Sequence, residues 1–80
     1  MTYSDAIIKR LNDLCTERSI TVNKLATLSG ITQSTVENIM SGITKNPTLK
    51  TLHKLAIGLD ISIAELLDFQ EINETIFEDE

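Results

Sequence analysis

Apolar side chains recur at three- and four-residue intervals in five successive stretches of this sequence, and short polar breaks separate the stretches. A period of 3.6 is the signature of amphipathic helices, and no alternating stretch of useful length competes with it. The first helix is expected from about Ser4 to Arg18, with Ile7, Ile8, Leu11, Leu14 and Cys15 as its apolar stripe. Ser4 suits the cap, and Asp5 suits the positive end of the helix dipole. Thr21 caps a short second helix whose Leu25, Ala26 and Leu28 look inward, and Gly30 ends it with a turn that needs positive φ. Thr32 caps a third, buried through Val36 and Ile39 and closed by Gly42. Pro47 forbids helix just before it, and Thr48 opens the fourth, with Leu49, Leu52, Leu55, Ala56 and Leu59 in line. Asp60 tolerates the helix-ending geometry there. Ser62-Ile63-Ala64-Glu65 is a capping box that starts the fifth, with Ile61 and Leu66 placed to staple it. The fold class is therefore all-α, a bundle of five helices. Beyond it, Phe69, Ile72, Ile76 and Phe77 sit among acids at a spacing that permits a sixth C-terminal helix, while the composition equally permits disorder.

Eighty residues form one domain with a thin core, since a chain this short buries about 60% of its unfolded surface. Such a core leaves little room for a deep catalytic cleft. One cysteine and one histidine exclude an internal disulfide and a zinc framework, so no metal and no cofactor is expected. Cys15 reads as a small core hydrophobe and His53 as a surface helix residue. No paired carboxylates, Ser/His/Asp set or phosphate loop is present, and the chain is not expected to be an enzyme. No apolar run is long enough to span a membrane, and the N-terminus lacks a signal peptide, so a cytoplasmic location is expected.

The formal net charge of −5 argues against a polyanionic partner until its distribution is read. Residues 1–18 are neutral, residues 19–58 carry a net +3, and residues 59–80 carry eight acids and no base. Local charge decides where a polyanion can land, so the middle of the chain is the candidate.

That middle holds the informative motif. Residues 22–41 form two short helices joined by a glycine-containing turn, which is a helix-turn-helix arrangement. Ala26 must be small where the pair crosses, and Leu25, Ile31, Val36 and Ile39 lock it to the bundle. Gln33, Ser34, Glu37, Asn38 and Ser41 are left on the outer face, polar and nearly uncharged, the kind of surface that can meet base edges in a major groove.

From Ile20 to Leu67 the chain resembles the Cro/C1-type (XRE) helix-turn-helix family of phage and bacterial regulators. The matching pieces are Leu25-Ala26, Ser29 to Val36, Ile39, Gly42, Asn46-Pro47-Thr48-Leu49, Thr51-Leu52, Lys54-Leu55-Ala56 and Ile61-Ser62. The resemblance implies a lambda-repressor-like DNA-binding bundle with residues 32–40 as the recognition helix. It implies Gln33, Ser34 and Asn38 as base readers, and Thr32, Thr35, Thr44, Lys45 and Asn46 as backbone contacts. Lys50 and Lys54 read as solubilising. Two departures lower the expected affinity of one copy: Val22 stands where many members carry Gln, and Asn38 stands where a base is common, beside Glu37, which repels phosphate.

Residues 1–68 are thus expected to be a helix-turn-helix DNA-binding domain and residues 69–80 an acidic C-terminal extension. The expected function is sequence-specific transcriptional regulation by a homodimer on a palindromic, double-stranded operator. Ile63, Leu66, Leu67, Phe69, Ile72 and Ile76 exceed what one small bundle can cover and form the expected dimer interface. The alternative is an antitoxin-type module whose acidic C-terminus binds and neutralises a partner protein, with autoregulation.

Overall fold

The computed structural model describes residues 1–77 as α1 (Tyr3–Glu17), α2 (Val22–Ser29), α3 (Gln33–Met40), α4 (Leu49–Gly58), α5 (Ile63–Leu67) and α6 (Gln70–Asn73). Four helix starts are capped by the residues that the sequence nominates. The hydroxyls of Thr21, Thr32 and Thr48 accept from the backbone N–H groups of Lys24, Thr35 and Thr51 at 3.1, 3.2 and 3.1 Å. At α5 the capping box closes: Ser62 Oγ accepts from Glu65 N–H at 3.0 Å, and Glu65 Oε1 accepts from Ser62 N–H at 3.2 Å. The first start lies earlier than expected. Thr2, not Ser4, caps α1, because Asp5 can answer it in a second capping box, both bonds being 3.2 Å. Ser4 is inside the helix and buried.

The core is filled by Leu11, Leu25, Val36, Ile39, Leu55, Leu59 and Leu66, branched aliphatics from five helices. Its tightest place is between α2 and α4. A Cβ added to Gly58 would collide with Ser29 Oγ and stand 2.9 Å from the Ser29 backbone nitrogen, so glycine alone lets the two backbones approach. Gly30 then turns the chain at φ 68° and releases α3 from α2.

Two apolar expectations fail. Leu28 is 46% exposed, because Ser29 fills the inward position of that last turn against Gly58. Leu49, the first residue of α4, is 68% exposed, for its turn extends past the packed core to the rim of an open groove also lined by Tyr3, Ile7 and Leu52.

The extension folds back on its own domain as far as the structure describes it. Ile72 packs against the core, and Ile76 N–H donates to the Met1 carbonyl at 2.9 Å, forming a parallel bridge between Thr2 and Ile76. The rings of Tyr3 and Phe77 lie 5.7 Å apart, and Glu71 is 3.4 Å from Lys9. The sixth helix is a single turn of four residues. Glu78, Asp79 and Glu80, the acidic end of the extension, lie outside the described residues.

If the α2–α4 approach sets the packing, Gly58→Ala should destabilise the domain by about 1–3 kcal/mol through overpacking. Ile57→Ala, at a 62% exposed neighbour, should stay within about 0.5 kcal/mol. Urea unfolding followed by circular dichroism distinguishes them, and equal effects would refute the close-contact argument.

Candidate nucleic-acid interface

Helix α3 is held to the domain by Val36 and Ile39, buried at 0% and 2% exposure, with half-buried Met40 packed on the core beside them. Gln33, Ser34, Thr35, Glu37 and Asn38 are all exposed, as is Ser41 at the C-cap. The structure thus brings Gln33, Ser34 and Asn38 together on one outer face, with Thr32 at its N-terminal end.

The polar groups on this face are organised among themselves. Thr32 Oγ1 and Thr35 Oγ1 are 2.8 Å apart and share a hydrogen bond. Gln33 Nε2 donates to Glu37 Oε1 at 2.9 Å, a contact that the sequence reading missed although the four-residue spacing is its signal. The backbone carbonyl of Asn38 accepts from Thr44 N–H at 2.9 Å and from Ser41 Oγ at 3.3 Å, so the loop that follows α3 is pinned to its last turn. On that loop Thr44 is half-buried, while Lys45 and Asn46 are exposed. Donation by the Thr2 backbone and hydroxyl holds the Asp5 carboxyl below its ordinary range, and the nearby Lys45 charge adds to the effect.

Charge elsewhere is committed to the fold. Arg18 Nε donates to the Leu59 carbonyl at 2.9 Å, at the C-cap of α4. Arg10 donates from Nε to Leu66 at 3.0 Å and from Nη2 to Glu65 at 2.6 Å, with its guanidinium 5.2 Å from the centroid of the Phe69 ring. Cations at helix C-termini offset the dipole and satisfy terminal carbonyls, so these arginines act as tertiary caps. Their sequence signal is weak, since the partners lie 41 to 56 residues away. Lys24, Lys45 and Lys50 are exposed along the middle of the chain.

Other candidates settle as structural. Cys15 is buried, and desolvation pushes its thiol above the usual value, which suits a core hydrophobe and not a nucleophile. His53 is exposed. Among the described residues no group of His, Cys, Asp or Glu could hold a metal ion, and no helix is long and apolar enough to cross a membrane. Of the expected dimer surface, Leu66 must be struck out. It is 1% exposed and part of this chain's own core, so a partner cannot reach it. Ile63, Leu67, Phe69 and Ile72 are half-buried against that core, and Ile76 is 64% exposed.

A short helix seated on the core, a left-handed glycine turn and a second helix with a polar outer face together define a helix-turn-helix DNA-binding domain. Residues 10–71 match the Cro/C1-type HTH DNA-binding domain, and the chain belongs to that family. The fold is also similar to the crystal structure of the prophage Lp1 protein 11, with a TM-score of 0.81 and 36% identity over 94% of this chain and 99% of that one. No curated protein matches.

The cap that starts α3 gives a local test. Thr32→Ala removes the hydroxyl that accepts from Thr35 and should cost about 1 kcal/mol of stability, whereas Thr32→Ser should be nearly neutral. Unfolding midpoints measure this; equal losses would assign the role to the methyl group instead.

Proposed function

We propose that this chain is a sequence-specific transcriptional regulator that lays α3 in the major groove, works in the cytoplasm as a symmetric dimer on a palindromic operator, and catalyses no reaction. The observation that carries the reading is the outer face of α3. Gln33, Ser34 and Asn38 stand together there, uncharged and exposed, on a helix whose opposite side is locked by Val36 and Ile39. Amide side chains pair bidentately with adenine edges, and short hydroxyls serve either base type. Membership of a DNA-binding family supports the same assignment.

Backbone contacts fall to Thr32, Thr35, Thr44, Lys45 and Asn46. The two threonines sit at the N-terminus of α3, where the dipole favours phosphate, and the loop is pinned to the last turn of the same helix through the Asn38 carbonyl. With a net +3 on residues 19–58, one copy holds DNA weakly, and two copies roughly 34 Å apart supply the missing affinity. Ile63, Leu67, Phe69, Ile72 and Ile76 remain the proposed joining residues, without Leu66. The rival reading, a partner-binding acidic tail, loses support because the described part of the extension is held on α1.

Selection of bound duplexes from random DNA gives the operator, against which variants are compared. Gln33→Ala and Asn38→Ala should each lose about 1–3 kcal/mol on the selected duplex and almost nothing on random DNA. Lys45→Ala should weaken both alike and flatten the salt dependence by roughly one unit of slope. If the amide variants also weakened both duplexes alike, the base-reading assignment would fail.

The dimer is tested on the intact chain, because α6 contributes Ile72 to the core and cannot be removed cleanly. Sedimentation equilibrium should show a concentration-dependent dimer that Ile76→Lys weakens, with operator affinity falling in parallel. A chain that stays monomeric at all concentrations, yet selects palindromes, would remove the interface proposal.

A further inference from the structure

Glu37 looks at first like a defect in a DNA-reading helix. It is exposed, negative and on the face that must approach phosphates. Its contact with Gln33 suggests a use. Gln33 Nε2 donates to Glu37 Oε1 at 2.9 Å across one turn of α3.

The chemistry of the pair is directional. An ionised carboxylate only accepts, whereas a glutamine amide has a donor end and an acceptor end that can exchange by rotating half a turn. Beside Glu37 the rotation is biased, because the opposite orientation would set the Gln33 carbonyl oxygen against the carboxylate. Holding one N–H leaves the amide its second N–H and its carbonyl, an adjacent donor and acceptor. That edge fits adenine, which presents the N7 acceptor and the N6 donor in the major groove. It fits guanine badly, since guanine presents two acceptors there, N7 and O6. A long exposed side chain also loses rotamer freedom when it binds, and an amide already held in place loses less.

We infer that Glu37 is the positioning residue for base readout: it fixes the amide of Gln33 in the orientation that selects adenine over guanine, at the expense of general affinity for DNA. The inference rests on Gln33 reading a base, as proposed above. The two roles of Glu37 separate by their reach. Its charge acts on every duplex alike, while its hydrogen bond acts at the single base pair that Gln33 meets.

The test uses the intact chain and the duplex selected from random DNA by the wild type, together with duplexes in which each adenine is replaced in turn by guanine. Glu37→Ala should bind all duplexes more tightly, most visibly at low salt, yet lose about two- to tenfold of the adenine preference at one position per half-site. Gln33→Ala should lose that same preference. In the Gln33→Ala background, adding Glu37→Ala should give the general gain and no further change in base preference. Both residues are exposed, and circular dichroism should confirm that every variant folds. A uniform gain with the preference intact would overturn the positioning role and leave Gln33 as the reader. A further loss of preference in the double variant would mean that Glu37 meets a base itself, which also overturns it. No preference lost in Gln33→Ala would remove both the reader and its positioning residue.

Discussion

The close approach of α2 and α4 at Ser29 and Gly58 is the contact on which the rest of the molecule depends. Helix α2 has eight residues, too few to be stable in water on its own, so its place is set by packing. Leu25 and Ala26 supply the apolar contact, and Gly58 removes the one Cβ that would hold the helices apart. Ser29 is buried there with no protein partner for its hydroxyl among the described residues. An unsatisfied buried hydroxyl costs about 1–3 kcal/mol, a price accepted at a position too tight for a larger side chain. Because α3 leans on α2 through the Gly30 turn, the seating of α2 decides the angle at which the polar face of α3 is offered.

Much of this was legible in the sequence because its causes are local. A hydroxyl three residues before the N–H that it caps, a glycine where φ must be positive, and an apolar residue every third or fourth place are all short-range patterns. Thr21, Thr32, Thr48, Ser62 and Gly30 therefore stand where they were expected. Local reasoning failed where two local choices compete. Thr2 and Ser4 can both cap, and the reciprocal bond from Asp5 decides for Thr2. It failed also where only the neighbour decides. Leu28 and Leu49 lie on apolar stripes of their helices, but no element covers them, and period alone does not reveal where a partner helix ends. The use of Arg10 and Arg18 as caps for α5 and α4 has no local sign, because it depends on how distant segments meet. The polar face of α3 was legible as a face; the bond between Gln33 and Glu37 on it was legible only as a spacing.

The distribution of charge follows from the same packing. The cations of α1 are turned inward or sideways, to the carbonyls at the ends of α4 and α5 and to the carboxylates of Asp13 and Glu71. The basic part of the surface is consequently the middle of the chain, where the helix-turn-helix lies. The acids that outnumber it are placed largely beyond α4, and Glu71, the one acid of α6, pairs with Lys9 of α1. A negative net charge is thus compatible with a DNA-binding surface, since the potential near a binding face is set by neighbouring groups within about a Debye length of 8–10 Å.

The N-terminus shows how closely the ends of the chain are tied to this arrangement. An N-cap residue adopts extended φ and ψ, and Thr2 does so at −86° and 172°. Extended backbone is also what a bridge requires, so the conformation that starts α1 lets Ile76 pair beside it. Asp5, which completes the cap, lies within electrostatic reach of Lys45 on the loop after α3. One short segment therefore joins the start of the first helix, the return of the extension and the loop that follows the candidate recognition helix. The apolar surplus beyond α5 is largely absorbed by this return, since Ile72 packs on the core and Phe77 lies against Tyr3. Of the described residues beyond α5, Ile76 stays the most open apolar side chain, and Phe77 is covered by Tyr3 only in part. The dimer proposed above, through half-buried Ile63, Leu67, Phe69 and Ile72 and exposed Ile76, would therefore rest on little free apolar area, and its association would depend on concentration.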